Sequence, residues 1–150
     1  MTLELLRHLG FLALLLASSA YALAKGGRPE RIAATTLLCG ALLSLSAARP
    51  LQLRFHHLER GILAIDLVIL GIFLWLSLRT TRFWPMWIAA LLSAEVLIHI
   101  ALLLVPGAVP VAYRNGEAIW SWGAQTILII ATWRHRNRLD RLGSDPPWRE

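Results

Sequence analysis

Hydrophobic residues along this chain fall into five long blocks, at residues 9–24, 32–48, 61–78, 83–105 and 118–133, and arginine or lysine bounds each block. Within 11–24 and 32–48 no polar face recurs at the helical period, as a helix half-buried on a soluble core would require. The blocks are 16 to 23 residues long, and crossing the hydrocarbon core takes about 20 residues, with a lower limit near about 17. The two shortest can extend into their flanks, because Arg and Lys stems reach back to the headgroups. The pattern predicts an all-α, polytopic membrane helical bundle of about five transmembrane helices, forming one domain over 1–150. The helices are expected near 3–24, 32–48, 61–78, 83–105 and 116–133, followed by a basic cytoplasmic tail at 134–150.

Short connections fit this layout. Gly26-Gly27 with Pro29 predicts a tight turn. Pro106-Gly107 and Pro110 close the fourth block, and Asn115-Gly116 is a turn signal before the fifth. The longest connection, 49–60, mixes Leu51, Leu53, Phe55 and Leu58 with Arg54, His56, His57 and Glu59, as an interfacial segment would. No internal repeat or low-complexity stretch is visible.

Composition agrees with a membrane class and excludes others. The chain is 57% hydrophobic with a mean hydropathy of +0.58, too apolar for an ordinary globular domain. Its net charge of +6 and pI near 11.0 do not imply nucleic acid, since that would gather the charge on one face. Cys39 is the single cysteine, so an internal disulfide and a CxxC metal or redox site are both ruled out. It reads as a small packing residue.

Loop charge predicts orientation. With five spans, 25–31, 79–82 and the tail from Arg134 share one side and carry three, two and five Lys or Arg residues, ten in all. Arg7, Arg49, Arg54, Arg60 and Arg114 make five on the other. The richer side belongs in the cytoplasm, leaving the N-terminus outside and the C-terminus inside. Ala22-Leu23-Ala24 has the form of a signal-peptide cleavage site. Cleavage there would turn the ten-charge side outward, so the first block is expected to remain as a helix. Trp84, Trp87, Trp120, Trp122 and Trp133 stand at block ends, where indoles form interfacial belts.

Three ionisable residues lie well inside the blocks: Asp66, Glu95 and His99. A charged side chain at mid-helix costs about 2.5–3.5 kcal/mol on the insertion scale, so each should face the bundle and find a partner. Asp66 and His99 come at matching depths on neighbouring antiparallel helices, which predicts contact between them. Glu95 lies one turn from His99 on the same face. Gln125, Ser44 and Ser46 fall in the same half, giving a polar cluster. Such residues serve either as interhelical glue or as a proton, ion or substrate pathway.

Other chemistry has less support. His8, His56, His57 and His99 with Glu4, Glu59 and Asp66 gather toward one side, but no spacing matches a metal motif. His56, His57 and His99 are the metal candidates, and no cofactor is expected. The serines show no nucleophile motif, and Gly-rich phosphate loops are absent. In the tail, Arg134, Arg136, Arg138 and Arg141 are placed to contact anionic lipid headgroups.

The stretch from Asp66 through Arg79-Thr-Thr-Arg-Phe-Trp-Pro-Met-Trp87 and His99 to the closing Thr132-Trp-Arg-His-Arg136 resembles small bacterial inner-membrane proteins with no assigned function. The Gly-Gly-Arg-Pro-Glu-Arg turn at 26–31 is similar to theirs as well. The resemblance covers nearly the whole chain and implies a bacterial inner membrane, without supplying an activity. Three functions follow as expectations. The first is a small accessory or structural membrane protein acting through helix–helix partners, in a homo-oligomer or larger complex. The second is a transporter or proton/ion pathway using Asp66, Glu95 and His99. The third is an outer-face metal-binding membrane enzyme.

Overall fold

In the computed structural model, which describes residues 3–47, 58–104 and 110–148, five helices follow one another: α1 (Leu3–Lys25), α2 (Arg28–Ala47), α3 (Leu58–Arg79), α4 (Trp84–Leu104) and α5 (Pro110–Leu142). Side chains are described for 5–46, 61–101, 104 and 120–148. No strand occurs among the described residues beyond one isolated bridge, Thr80 to Trp148. Each helix packs on its neighbours in sequence and α5 closes back on α1, with α2 also touching α5. The result is a closed ring of five helices, an all-α bundle.

Three helices contain stretches long and apolar enough to cross a membrane: Leu5–Lys25, Gly61–Arg79 and Trp84–Ala101. α2 and α5 fall short by composition. α2 opens on Arg28, Glu30 and Arg31 and carries Thr35, Thr36, Ser44 and Ser46. The membrane class is therefore supported by three of the five helices.

The outer faces are lipid-like. Leu16, Leu42, Val68, Leu78, Phe83 and Trp87 are among the large apolar side chains left exposed. The interior is built from smaller pieces. Ala22, Ala33, Ala34, Ala89 and Ala124 pack around Phe73, Leu76, Ile88 and Leu128, letting helices approach closely, as membrane bundles favour. Gly40 is the tightest such point: a Cβ there would stand 2.4 Å from Ile69 Cδ1.

Several helix bounds differ from expectation. Proline explains two of them. Pro29 sits in the first turn of α2 and Pro110 is the first residue of α5, positions where the missing N–H would have no partner. The predicted break at Asn115-Gly116 is absent, because the helix runs through it from Pro110. At the other end α5 continues to Leu142, so Arg134–Arg141 is helix rather than free tail. Gly143, at φ 70°, stops it, and its N–H bonds to the Leu139 carbonyl at 2.9 Å, the left-handed cap that favours glycine. The segment 49–57, with His56 and His57, and Pro106-Gly107 lie outside the described residues.

Candidate functional site

The bundle has two polar ends separated by an apolar middle. At the near end, where α1 begins, a cavity of about 570 Å³ lies within the ring. Asp66 reaches it from α3, Glu95 and His99 from α4, and Ser121 and Gln125 from α5, with Arg7 and His8 of α1 also on its lining. Leu15, Ile69, Leu92 and Ala124 line it as well. Beyond them the core of Ala22, Phe73, Leu76, Ile88 and Leu128 fills the middle of the bundle.

Asp66, Glu95, His99 and Gln125 are thus brought to one place. Asp66 Oδ2 lies 3.2 Å from His99 Nε2, and both side chains are buried. The approach has ion-pair distance, while Oδ2 has no aligned hydrogen bond among the described residues. Helix periodicity makes the site. Ile62, Asp66 and Ile69 share one face of α3, and Leu92, Glu95 and His99 share one face of α4. Glu95 is half-buried on the cavity wall. Gln125 Oε1 accepts from the Ser18 hydroxyl of α1, which also lies 3.1 Å from the Leu15 carbonyl, so one proton serves two acceptors. Ser44 lines the same cavity. Ser46 turns outward and bonds its own helix at Leu43.

The far end holds a second polar cluster that sequence reasoning missed. Arg82, in the α3–α4 link, is the hub. Its Nη1 donates to Glu30 Oε1 of α2, and its Nη2 donates to Asp145 Oδ2 at 2.7 Å. His135 Nδ1 of α5 meets the same Asp145 oxygen at 2.6 Å. The 3.0 Å approach of Arg82 Nη2 to His135 Nδ1 follows from two donors sharing one acceptor, with the ring proton on Nδ1. Trp84 Nε1 adds a bond to Glu30 Oε1 at 3.2 Å, and Arg138 Nε lies 3.1 Å from Asp145 Oδ1. Glu30 is fully buried. Burial alone pushes the Asp145 carboxyl up, but the His135 bond, then the Arg82 charge, then Arg138 outweigh it and hold it below its ordinary value.

This cluster folds the chain end back. Thr81 N–H donates to the Pro147 carbonyl at 3.3 Å and its hydroxyl to the Pro146 carbonyl at 3.2 Å. The Trp148 ring stands 6.0 Å from that of Trp75, tilted by 55°. Gly27 leaves room for the cluster: a Cβ there would meet His135 Cε1 at 3.0 Å and Glu30 Oε2 at 3.1 Å.

The predicted lipid contacts divide accordingly. Arg134 and Arg141 are exposed, Arg136 approaches Asp140 at 4.0 Å, and Arg138 turns to Asp145. Cys39 is exposed on α2. Among the described residues no group of three or more His, Cys, Asp or Glu could hold a metal, and His56 and His57 are outside them. No protein-family model, curated protein or solved structure matches this chain.

Proposed function

We propose that this chain is a small transporter-type protein of a bacterial inner membrane whose near-end cavity takes up a proton and passes it across. It spans the bilayer five times, with the N-terminus outside and the C-terminus in the cytoplasm, as the ten-to-five division of loop charge supports. One observation carries the reading: Asp66, Glu95, His99 and Gln125 line one cavity. Interhelical glue alone would not require a cavity of about 570 Å³ beside the polar groups. An open-ended pore is disfavoured by the apolar layer beneath the cavity. Access from one side at a time is the scheme that fits, with the cavity resting open toward the outer side when no potential is imposed.

Asp66 and His99 are the proton-handling element. An acid and a base 3.2 Å apart can take up one proton from the cavity and later release it, the charge of the pair rising by one and then falling by one. Proteoliposomes carrying a pH-sensitive dye test this under an imposed potential. The wild type should pass protons faster than protein-free liposomes. Asp66→Asn and His99→Gln should fall to background while remaining folded in detergent, with a stability loss of no more than about 2 kcal/mol. Unchanged flux in both variants, or no flux above background in the wild type, contradicts the proposal.

A second reading keeps the chain as an accessory subunit that acts through partner helices or a further copy of itself. The observation that favours it is Gly71, exposed at mid-α3, where an added Cβ would meet open space, beside exposed Ala64, Leu67, Val68 and Leu74. A stoichiometric partner co-purifying in mild detergent, and lost on Gly71→Leu, would select it.

A further inference from the structure

We propose that the groove between α4 and α5 at the far end binds one anionic glycerophospholipid, with its phosphodiester on Arg134 and Arg138 and an acyl chain along Trp87, Ile127 and Ile130. The groove encloses about 560 Å³. Its lining includes Arg82, Arg134 and Arg138 and no carboxylate. On α5 the residues Ile127, Ile130, Ala131, Arg134 and Arg138 recur at helical spacing, so one face changes from apolar to basic along its length. From Ile127 to Arg138 this face runs about 16 Å at 1.5 Å per residue, enough for a headgroup and the upper part of a chain. Trp84 and Trp87, one turn apart on α4, form the facing wall.

Charge selects the ligand. The Arg82 guanidinium already serves Glu30 and Asp145, and Arg138 shares Asp145. No acidic side chain among the described residues pairs with Arg134. The groove therefore has an unmatched positive charge, which a single phosphodiester anion neutralises. A zwitterionic lipid would bring its own cation back to the arginines. Arg82 Nε also has no hydrogen-bond partner among the described residues, leaving a buried donor on the guanidinium that lines the groove. Arg136 and Arg141 are not on the lining, so the site is narrower than a general attraction of the basic helix for anionic lipid.

The probe is phosphatidylglycerol with brominated acyl chains, added to delipidated protein in detergent and read by tryptophan quenching against brominated phosphatidylcholine. Phosphatidylglycerol should quench at lower concentration, and Trp87→Phe should remove most of the difference. Arg134→Gln should weaken phosphatidylglycerol binding about fivefold, while Arg141→Gln, with the same charge change outside the groove, should shift it by less than about twofold. Ile130→Trp, which fills the apolar part, should also weaken it. Equal quenching by the two lipids overturns the proposal. So does an equal effect of the two arginine variants, or displacement by inorganic phosphate alone, which would mark a simple anion site.

Discussion

Both ends of this bundle bury acids beside basic side chains, yet they are built in opposite ways. At the far end Glu30, Arg82, His135 and Asp145 are packed until nearly every charge has a bonded partner, and the chain's last described residues lie across them. At the near end Asp66 and His99 meet at 3.2 Å on the wall of a cavity that Glu95 and Gln125 also line. A closed network holds helices together. An open one leaves room for something to bind. The contrast separates structure from candidate function within a single chain.

The largest expected effect comes from removing the hub of the closed end. Arg82→Leu leaves Glu30 buried without its cation and takes from Asp145 one of its three basic partners, and breaking a buried pair from one side costs about 3–5 kcal/mol. Melting in detergent should show it, and a loss below about 1 kcal/mol would mean the far end is not the fastening it is taken for. Next comes the near-end pair. A double-mutant cycle of Asp66→Asn and His99→Ala should give a coupling of about 0.6–1.7 kcal/mol, the range of polar contacts between membrane helices. Additivity would erase the contact, and a coupling as large as the Arg82 loss would erase the contrast.

Trp148→Ala should cost about 0.5–1.5 kcal/mol through its ring pair with Trp75. The change should appear as faster proteolysis around Arg141 rather than as a large drop in melting temperature. The smallest effect is that of pH on the same strap. Asp145 has a lowered folded-state pKa, so its ionised form stabilises the docked segment. That contribution is complete above the ordinary carboxylate range and is lost only as pH falls through the lower folded value. Trp148 fluorescence should therefore stay level from neutral pH down to about 5 and change below about 4. Asp145→Asn should remove that acid step. A transition near neutrality would point to another group.

Legibility in the sequence differed between the two ends for a physical reason. Asp66 and His99 interrupt apolar blocks, so depth along two antiparallel helices sufficed to bring them together. The far-end cluster gives no such signal. Glu30, Arg82 and Asp145 stand in charged connections, where a carboxylate beside arginines looks solvated, and only tertiary folding buries them. The apolar Pro146-Pro147-Trp148 at the end of a basic segment was the one available hint of docking. The extension of α5 back to Pro110 was obscured by Asn115-Gly116, a turn pair at which helix propensity is weak but not prohibitive. Helix number and order followed directly from block length.

The most direct measurement places a thiol inside the open end. In a Cys39→Ala background, Ser44→Cys puts one on the cavity wall, and Ser144→Cys puts one on the far-end strap. Each is treated with a membrane-impermeant thiol reagent in right-side-out and in inverted vesicles. The account predicts that Ser44→Cys reacts from the outer side alone and Ser144→Cys from the cytoplasmic side alone. Reaction of Ser44→Cys from both sides, or from neither, would contradict a cavity that is open at one end and closed at the other.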